Sequence, residues 1–268
     1  MKTTTCKLSV VLAIYNEAAN LARCLEAVVN IADEIIIVDG NSTDDSVKIA
    51  QSFQAKVIST TNKANFHINK QKAIDAARGQ LILQLDADEV VAEPLATFIL
   101  KIKKQPDKYQ NISAWWLIRQ NYFLGKWLKK GGQYPDPVIR LFWRGKAELP
   151  QKDVHEQMTV RGMVGWADGY LEHYSNPTLT EYLRKMNTYT SFKAQQLYQD
   201  KINPTVVNTL LYFFYYPSRT FISLFLRHKG ILDGWAGFLF SLLSSIHYPI
   251  QYVKLWELHE KSRLNNLR

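Results

Sequence analysis

The first 85 residues alternate short apolar runs with amphipathic stretches, a pattern that few architectures accept. Residues 8–14, 35–38, 55–59 and 81–85 are rich in Val, Ile and Leu and have the length of strands. Between them, residues 17–29 carry Leu21, Leu25 and Val28 at helical spacing. Residues 47–53 follow the cap-forming run Asn41-Ser42-Thr43-Asp44-Asp45, and residues 66–77 stop at Arg78-Gly79. Strand then helix, repeated, predicts an α/β fold with a mostly parallel sheet and helices on both faces.

In such a sheet ligands bind beyond the carboxyl ends of the strands. There the apolar runs give way to Tyr15-Asn16-Glu17, to Asp39-Gly40-Asn41-Ser42 and to Asp86-Ala87-Asp88-Glu89. Residues 81–85 read as a strand buried on both faces that ends abruptly at three carboxylates. Carboxylates at i and i+2 on a chain leaving the sheet can turn two oxygens toward one hard cation, which holds phosphate readily. Taken alone, a polar turn is the commoner meaning of such a break. No Gly-x-Gly-x-x-Gly follows the first strand and no loop ends in Gly-Lys-Ser/Thr, so dinucleotide and triphosphatase readings lack their phosphate cradle. A metal ion is the other way to neutralise a diphosphate.

With 268 residues the chain is long enough for one large domain, or a domain and an appendage. The formal net charge of +9 calls for an anionic partner, although the Lys and Arg residues are dispersed and no nucleic-acid recognition motif is present. Cys6 and Cys24 have no zinc spacing and fit a reducing compartment, and the polar N-terminus carries no secretory pattern. These features place the expected chemistry in the cytoplasm.

The segments Ser9-Val10-Val11-Leu12-Ala13-Ile14-Tyr15-Asn16-Glu17, Ile36-Ile37-Val38-Asp39-Gly40-Asn41-Ser42-Thr43-Asp44 and Leu85-Asp86-Ala87-Asp88-Glu89 resemble, in order and spacing, the family 2 glycosyltransferases of GT-A (Rossmann-like) fold. The resemblance implies that Ala13, Tyr15 and Glu17 border the base and ribose of a nucleotide sugar and that Asp39 accepts a hydrogen bond from the base. It implies Lys70 and Arg78 near the diphosphate, and Asp86 and Asp88 as the pair for a divalent metal, Mg2+ or Mn2+, with Asp88 the more direct ligand.

An inverting transfer needs a carboxylate beside the acceptor hydroxyl. Glu156 stands where the resembled family carries an acidic catalytic residue, here in Val-His-Glu rather than the widespread Glu-Asp, with Asp153 and Asp136 as alternatives. His155 either orients Glu156 or is a packed histidine. His173 is either a third metal ligand or diphosphate contact, or again a packed histidine. The pieces Pro135-Asp136, Arg140-Leu141-Phe142, Val154-His155-Glu156 and His173-Tyr174-Ser175 resemble the branch that includes lipopolysaccharide inner-core β-1,4-glucosyltransferases. That branch implies UDP-glucose as donor and a lipid-linked glycan as acceptor.

The expected division is a catalytic domain over 1–178, with its nucleotide-sugar half to about residue 110, and a helical region over 179–268. Residues 179–198 have helical periodicity; residues 206–226 and 231–256 are apolar and aromatic but interrupted by Asn208, Pro217, Arg219, Asp233 and Pro249. No clean span of roughly twenty residues results, so these helices are expected to lie peripherally on the cytoplasmic face of the inner membrane. The alternatives are that they cap the catalytic domain or form the interface of a homo-oligomer. A non-catalytic nucleotide-sugar-binding membrane adaptor is the competing function, and the intact acidic motif argues against it.

Overall fold

The computed structural model describes residues 6–63, 65–150 and 157–265. Its contacts divide the chain into two units, one of residues 1–120 and 136–173, the other of residues 121–135 and 174–268.

In the first unit, β1 (Leu8–Ile14), β2 (Glu34–Asp39), β3 (Lys56–Ser59) and β4 (Leu81–Leu85) alternate with α1 (Ala18–Glu26), α2 (Ser46–Ser52) and α3 (Phe66–Asp75). β5 (Glu89–Val91), α4 (Glu93–Lys104) and β6 (Ala114–Phe123) follow, then β7 (Lys126–Trp127), β8 (Asp136–Trp143), the short strands β9 (Ala147–Glu148) and β10 (Thr159–Val160), and β11 (Val164–Asn176). The main sheet has the order β3-β2-β1-β4-β8-β6-β11-β5. It is parallel from β3 to β4, as the alternation predicts, and antiparallel at the β4–β8, β8–β6 and β11–β5 pairs. The parallel character therefore ends where the strand–helix alternation ends.

Period-2 side-chain alternation sorts the central strands onto two faces. Leu8, Val10, Leu12, Ile35, Ile37, Leu81, Leu83 and Leu85 pack with Leu21 and Leu25 of α1 and with Leu95, Phe98 and Ile99 of α4. Val11, Ile36, Val38 and Ile82 pack on the other face with Ala73 and Ile74 of α3. A sheet covered on both sides keeps only its strand ends for polar work.

At the amino edge of these strands the Arg78-Gly79 turn is fixed by hydrogen bonds. Glu34 Oε1 accepts from the N–H groups of Arg78 at 2.6 Å and Gly79 at 3.1 Å, and also from the Ser9 hydroxyl. A Cβ at Gly79 would stand 2.6 Å from Ser9 Oγ and 2.7 Å from the Lys7 carbonyl, so only glycine fits.

In the second unit, Phe123 and Leu128 pack against Tyr182 and Met186 of α5 (Leu179–Gln199). This contact is why residues 121–135, expected in the catalytic region, group with the helices. A continuous helical run follows: α6 (Val206–Leu210), a π turn over Leu211–Tyr215, α7 (Tyr216–Ile222) and a second π turn over Ser223–Arg227. Pro217 sits in the first turn of α7, and α8 (Gly234–Asn265) continues through Pro249. Lys254 ties α8 to α5 through Asn187, Thr190 and Ser191. No helix among the described residues is long and apolar enough to cross a membrane.

Candidate active site

The carboxyl ends of β1, β2 and β4 carry the polar residues that the sequence placed there. After β1 and β2 the chain takes left-handed turns at Asn16 (φ 55°) and Asn41 (φ 71°), conformations that asparagine tolerates best among residues with a side chain. The two loops are laced together. Asn16 N–H donates to Ser42 Oγ at 2.9 Å, and Asn16 Oδ1 accepts from Thr43 N–H at 2.8 Å. Asp39 is buried, and its carboxylate accepts from Asn41 N–H at 3.1 Å, from Ser42 N–H and from the Ser42 hydroxyl at 2.6 Å.

Within the run 41–45, expected to cap α2, Asp44 serves both helices: its Oδ1 accepts Ser46 N–H at 3.0 Å at the start of α2, and its Oδ2 accepts from the start of α1. Glu17 N–H donates to Ser46 Oγ at 2.8 Å and Ala18 N–H to Asp44 Oδ2 at 3.0 Å, satisfying donors that the start of α1 would leave unpaired. Asp45, at the N-cap of α2, makes no side-chain capping bond. Ala13 and Tyr15 stand at the same edge, Tyr15 exposed and Ala13 half-buried, and Glu17 accepts from Asn20 Nδ2 at 3.0 Å.

The chain beyond β4 builds the charged centre. Antiparallel pairing of β8 with β4 sets Leu141 opposite Leu83, and one step on it brings Arg140 beside Gln84. Arg140 donates to Gln84 Oε1 at 2.5 Å, to Asp86 Oδ2 at 2.6 Å and to Glu89 Oε1 at 3.0 Å. Lys70, reaching up from α3 with its ammonium 4.8 Å from the Phe66 ring centroid, forms an ion pair with Asp86 Oδ1. Glu89 has no exposed surface; it accepts Asp86 N–H at 3.0 Å and lies 3.4 Å from Arg119, which also pairs with Asp136 at 2.8 Å.

This network sets the local electrostatics. Burial alone would raise the Asp86 carboxyl, but Arg140 and Lys70 outweigh it and hold Asp86 far below the usual carboxylate range. Burial would likewise weaken the charge of Arg140, and Asp86 and Glu89 instead hold it above the ordinary arginine value. Beneath the cluster, burial and the fields of Glu89, Asp88 and Asp86 push the Cys24 thiol well up. Across the physiological range Asp86 and Arg140 stay charged and the Cys24 thiol stays neutral.

Pairing of β5 with β11 sets His173 opposite Glu89 and so brings it to Asp88. His173 Nε2 and Asp88 Oδ2 are 3.6 Å apart, and their side chains keep 15% and 18% of their surface exposed. An imidazole nitrogen beside a carboxylate oxygen would suit Mn2+ better than Mg2+, which favours oxygen ligands. Among the described residues no third carboxylate, thiol or imidazole completes a ready-made metal cluster. Both Asp86 oxygens are engaged by Lys70 and Arg140. An ion at Asp86 would share those oxygens with Lys70 and Arg140 or displace one of them.

Of the residues expected at the site, Ala13, Tyr15, Glu17, Asp39, Lys70, Asp86, Asp88 and His173 lie at this edge of the sheet. Lys70 is buried, not on a solvated helix face. Arg78 does not join them: it is exposed and precedes the amino end of β4, at the opposite edge, because α3 runs back antiparallel to the strands. Glu156, Asp153 and His155 lie outside the described residues, and Asp136 is the partner of Arg119. Arg140, Arg119, Gln84 and the central role of Glu89 were not anticipated. A signal existed: Arg140 interrupts Val138-Ile139-Arg140-Leu141-Phe142, and a charge within a buried strand requires buried partners.

Comparison with known proteins agrees with this geometry. The family model described as glycosyl transferase family 2 matches residues 9–163. Over 96% of its length the chain is 28% identical to the lipopolysaccharide core biosynthesis glycosyltransferase LpsC of Rhizobium meliloti, covering 95% of that protein. It is 27% identical to an uncharacterized glycosyltransferase of Rickettsia typhi, covering 96% of this chain and 89% of that one. Among solved structures, a mannosyltransferase from Pyrobaculum calidifontis in complex with GDP-Man and Mn2+ superposes with a TM-score of 0.53 at 12% identity, covering 95% of this chain and 88% of the other. The chain is a glycosyltransferase of GT-A fold and belongs to glycosyl transferase family 2.

Proposed function

We propose that the chain transfers a sugar, glucose from UDP-glucose, to a hydroxyl of a lipid-linked or lipopolysaccharide-type glycan, with inversion and with a divalent metal. The observation that carries the donor half of this reading is the convergence of Asp39, Lys70, Asp86, Asp88, Arg140 and His173 at one edge of the sheet. Asp88 and His173 would hold Mg2+ or Mn2+, which when bound offsets the charge developing on the departing diphosphate. Asp39, with its loop ordered around it, would accept from the base. Lys70 and Arg140 fix Asp86 as an anion beside the metal ligands.

On the acceptor side, Glu156 would take the hydroxyl proton as the acceptor oxygen bonds to the anomeric carbon and the bond to the diphosphate breaks. That assignment rests on the position of Glu156 in the sequence. The acceptor class is supported by the similarity to LpsC and by the branch-specific pieces around Arg140 and His173. The test is transfer and hydrolysis across a panel of nucleotide sugars, with and without EDTA. Transfer that survives EDTA undiminished removes the metal, preference for another donor removes UDP-glucose, and full transfer by Glu156→Gln eliminates that base.

A further inference from the structure

We propose that residues 206–235 dock the second unit on an anionic lipid bilayer, with Arg219 and Arg227 receiving a headgroup phosphate in the cavity beside them. The helical run from α6 through the second π turn is apolar on two sides, and only one side is covered within its unit. On the covered side Tyr212 stacks on Tyr252 at 4.9 Å, Tyr216 on Tyr248 at 5.4 Å, and Phe225 meets Phe238 edge-on at 5.8 Å. On the other side Leu210, Phe214, Ile222 and Leu226 are exposed and, with Ser218, recur every four residues. In pure α geometry a four-residue step drifts around the axis; the two π turns, with wider i to i+5 bonding, offset that drift and keep the row on one face. Beyond the run, Leu232 and Trp235 are 68% and 72% exposed. A helix apolar on two sides, with one side covered, favours an apolar medium on the other.

Charge identifies that medium. The second unit holds 14 Lys and Arg against 5 Asp and Glu, whereas the first holds 19 of each, so the entire net charge belongs to the second. Within 206–235 the cations are Arg219, Arg227 and Lys229, and the single carboxylate, Asp233, is occupied by the N–H groups of Lys129 and Lys130 at 3.1 and 2.8 Å. A cavity of about 450 Å3 opens beside the apolar row, lined by Tyr216, Arg219, Thr220, Ser223, Arg227 and Tyr248 among others, with no carboxylate. Two guanidinium groups among hydroxyls match a phosphate. A second copy of the chain would bring this positive face against itself, which opposes an isologous contact. An anionic bilayer offers acyl chains to the row and phosphates to the arginines.

Vesicle flotation of the full chain tests this, using phosphatidylcholine vesicles with and without phosphatidylglycerol. The chain is expected to float with the anionic vesicles and to be released by salt. Arg219→Gln/Arg227→Gln should weaken binding to anionic vesicles about thirtyfold. Leu232→Ala/Trp235→Ala should weaken it roughly tenfold or more. Both variants should keep the wild-type Tm and the wild-type rate of donor hydrolysis, which separates failure of docking from failure of the donor site. No flotation of the wild type on anionic vesicles overturns the proposal. So does undiminished binding by the arginine variant, or saturable binding of inorganic phosphate that is lost in that variant and leaves flotation unchanged, which would make the cavity a site for free phosphate. A dimer in sedimentation that Trp235→Glu splits, with flotation unaltered, would assign the face to a second copy instead.

Discussion

Arg140 donates to Asp86 at 2.6 Å across the β4–β8 pair, so a buried cation on β8 and a half-buried anion just past the end of β4 fix each other's charge. Removing only this cation leaves Asp86 to Lys70 alone and the fully buried Glu89 to Arg119 alone at 3.4 Å. Arg140→Met is therefore expected to lose about 3 kcal/mol of stability, read from urea unfolding, because breaking a buried ion pair leaves its anions undercompensated. A double variant that also replaces Glu89 with Gln should recover part of that loss.

The proposed metal ligands make a second, sharper comparison. Asp88→Ala should lower transfer by on the order of 100-fold or more, since charge compensation at the diphosphate is lost. His173→Ala should instead raise the Mn2+ concentration needed for half-maximal activity, roughly 10–100-fold, with activity restored at high metal. Metal titrations of initial rates distinguish the two. Arg78→Ala, at the opposite edge of the sheet, should stay within about twofold of wild type, a difference of a few tenths of a kcal/mol.

Glu34 predicts a pH dependence of stability away from the site. Burial would raise its carboxyl, but the Ser9 hydroxyl and the Arg78 and Gly79 N–H groups hold it below the usual glutamate range. A carboxyl lowered on folding stabilises fully above its unfolded value, about 4.3, and loses that contribution as pH falls through the folded value. Denaturant midpoints should therefore fall from pH about 5 toward 3, and Glu34→Gln should be less stable at neutral pH with a flatter slope in that window.

The neighbouring glycine gives a steric test. A methyl group at Gly79 meets the Lys7 carbonyl and the Ser9 backbone as well as the Ser9 hydroxyl, and backbone atoms cannot swing aside. Gly79→Ala should cost about 1–3 kcal/mol, measured as a lowered Tm, with Ser9→Ala relieving only the side-chain part.

The parallel half of the fold was legible because each strand there is a short β-branched run closed by a polar turn, and each helix covers it with regular apolar spacing. The donor edge was legible for the same reason: Asp39, Asp86 and Asp88 stand where apolar runs end. The antiparallel half was not, because its pairings join residues far apart in sequence. Glu89 and His173 are opposite each other only through the β5–β11 register, and Arg140 meets Asp86 only through β4–β8. Glu89 shows the difference most clearly. Local pattern made it only the third carboxylate after an apolar run; three-dimensional pairing makes it the buried anion that positions Arg140 and Arg119. Arg78 failed for the opposite reason: a helix running back against its strand carries its last turn away from the site, however basic that turn is.

The cross-bracing of the loops after β1 and β2 bears on any attempt to change the donor. Since Asp44 and Ser46 finish a helix that belongs to the other loop, and Asn16 in turn holds Ser42 and Thr43, residues 15–18 and 39–46 form one exchangeable cassette. Grafting either loop alone from a relative with another nucleotide preference would leave helix donors without partners; moving both together would carry the preference and its scaffold at once.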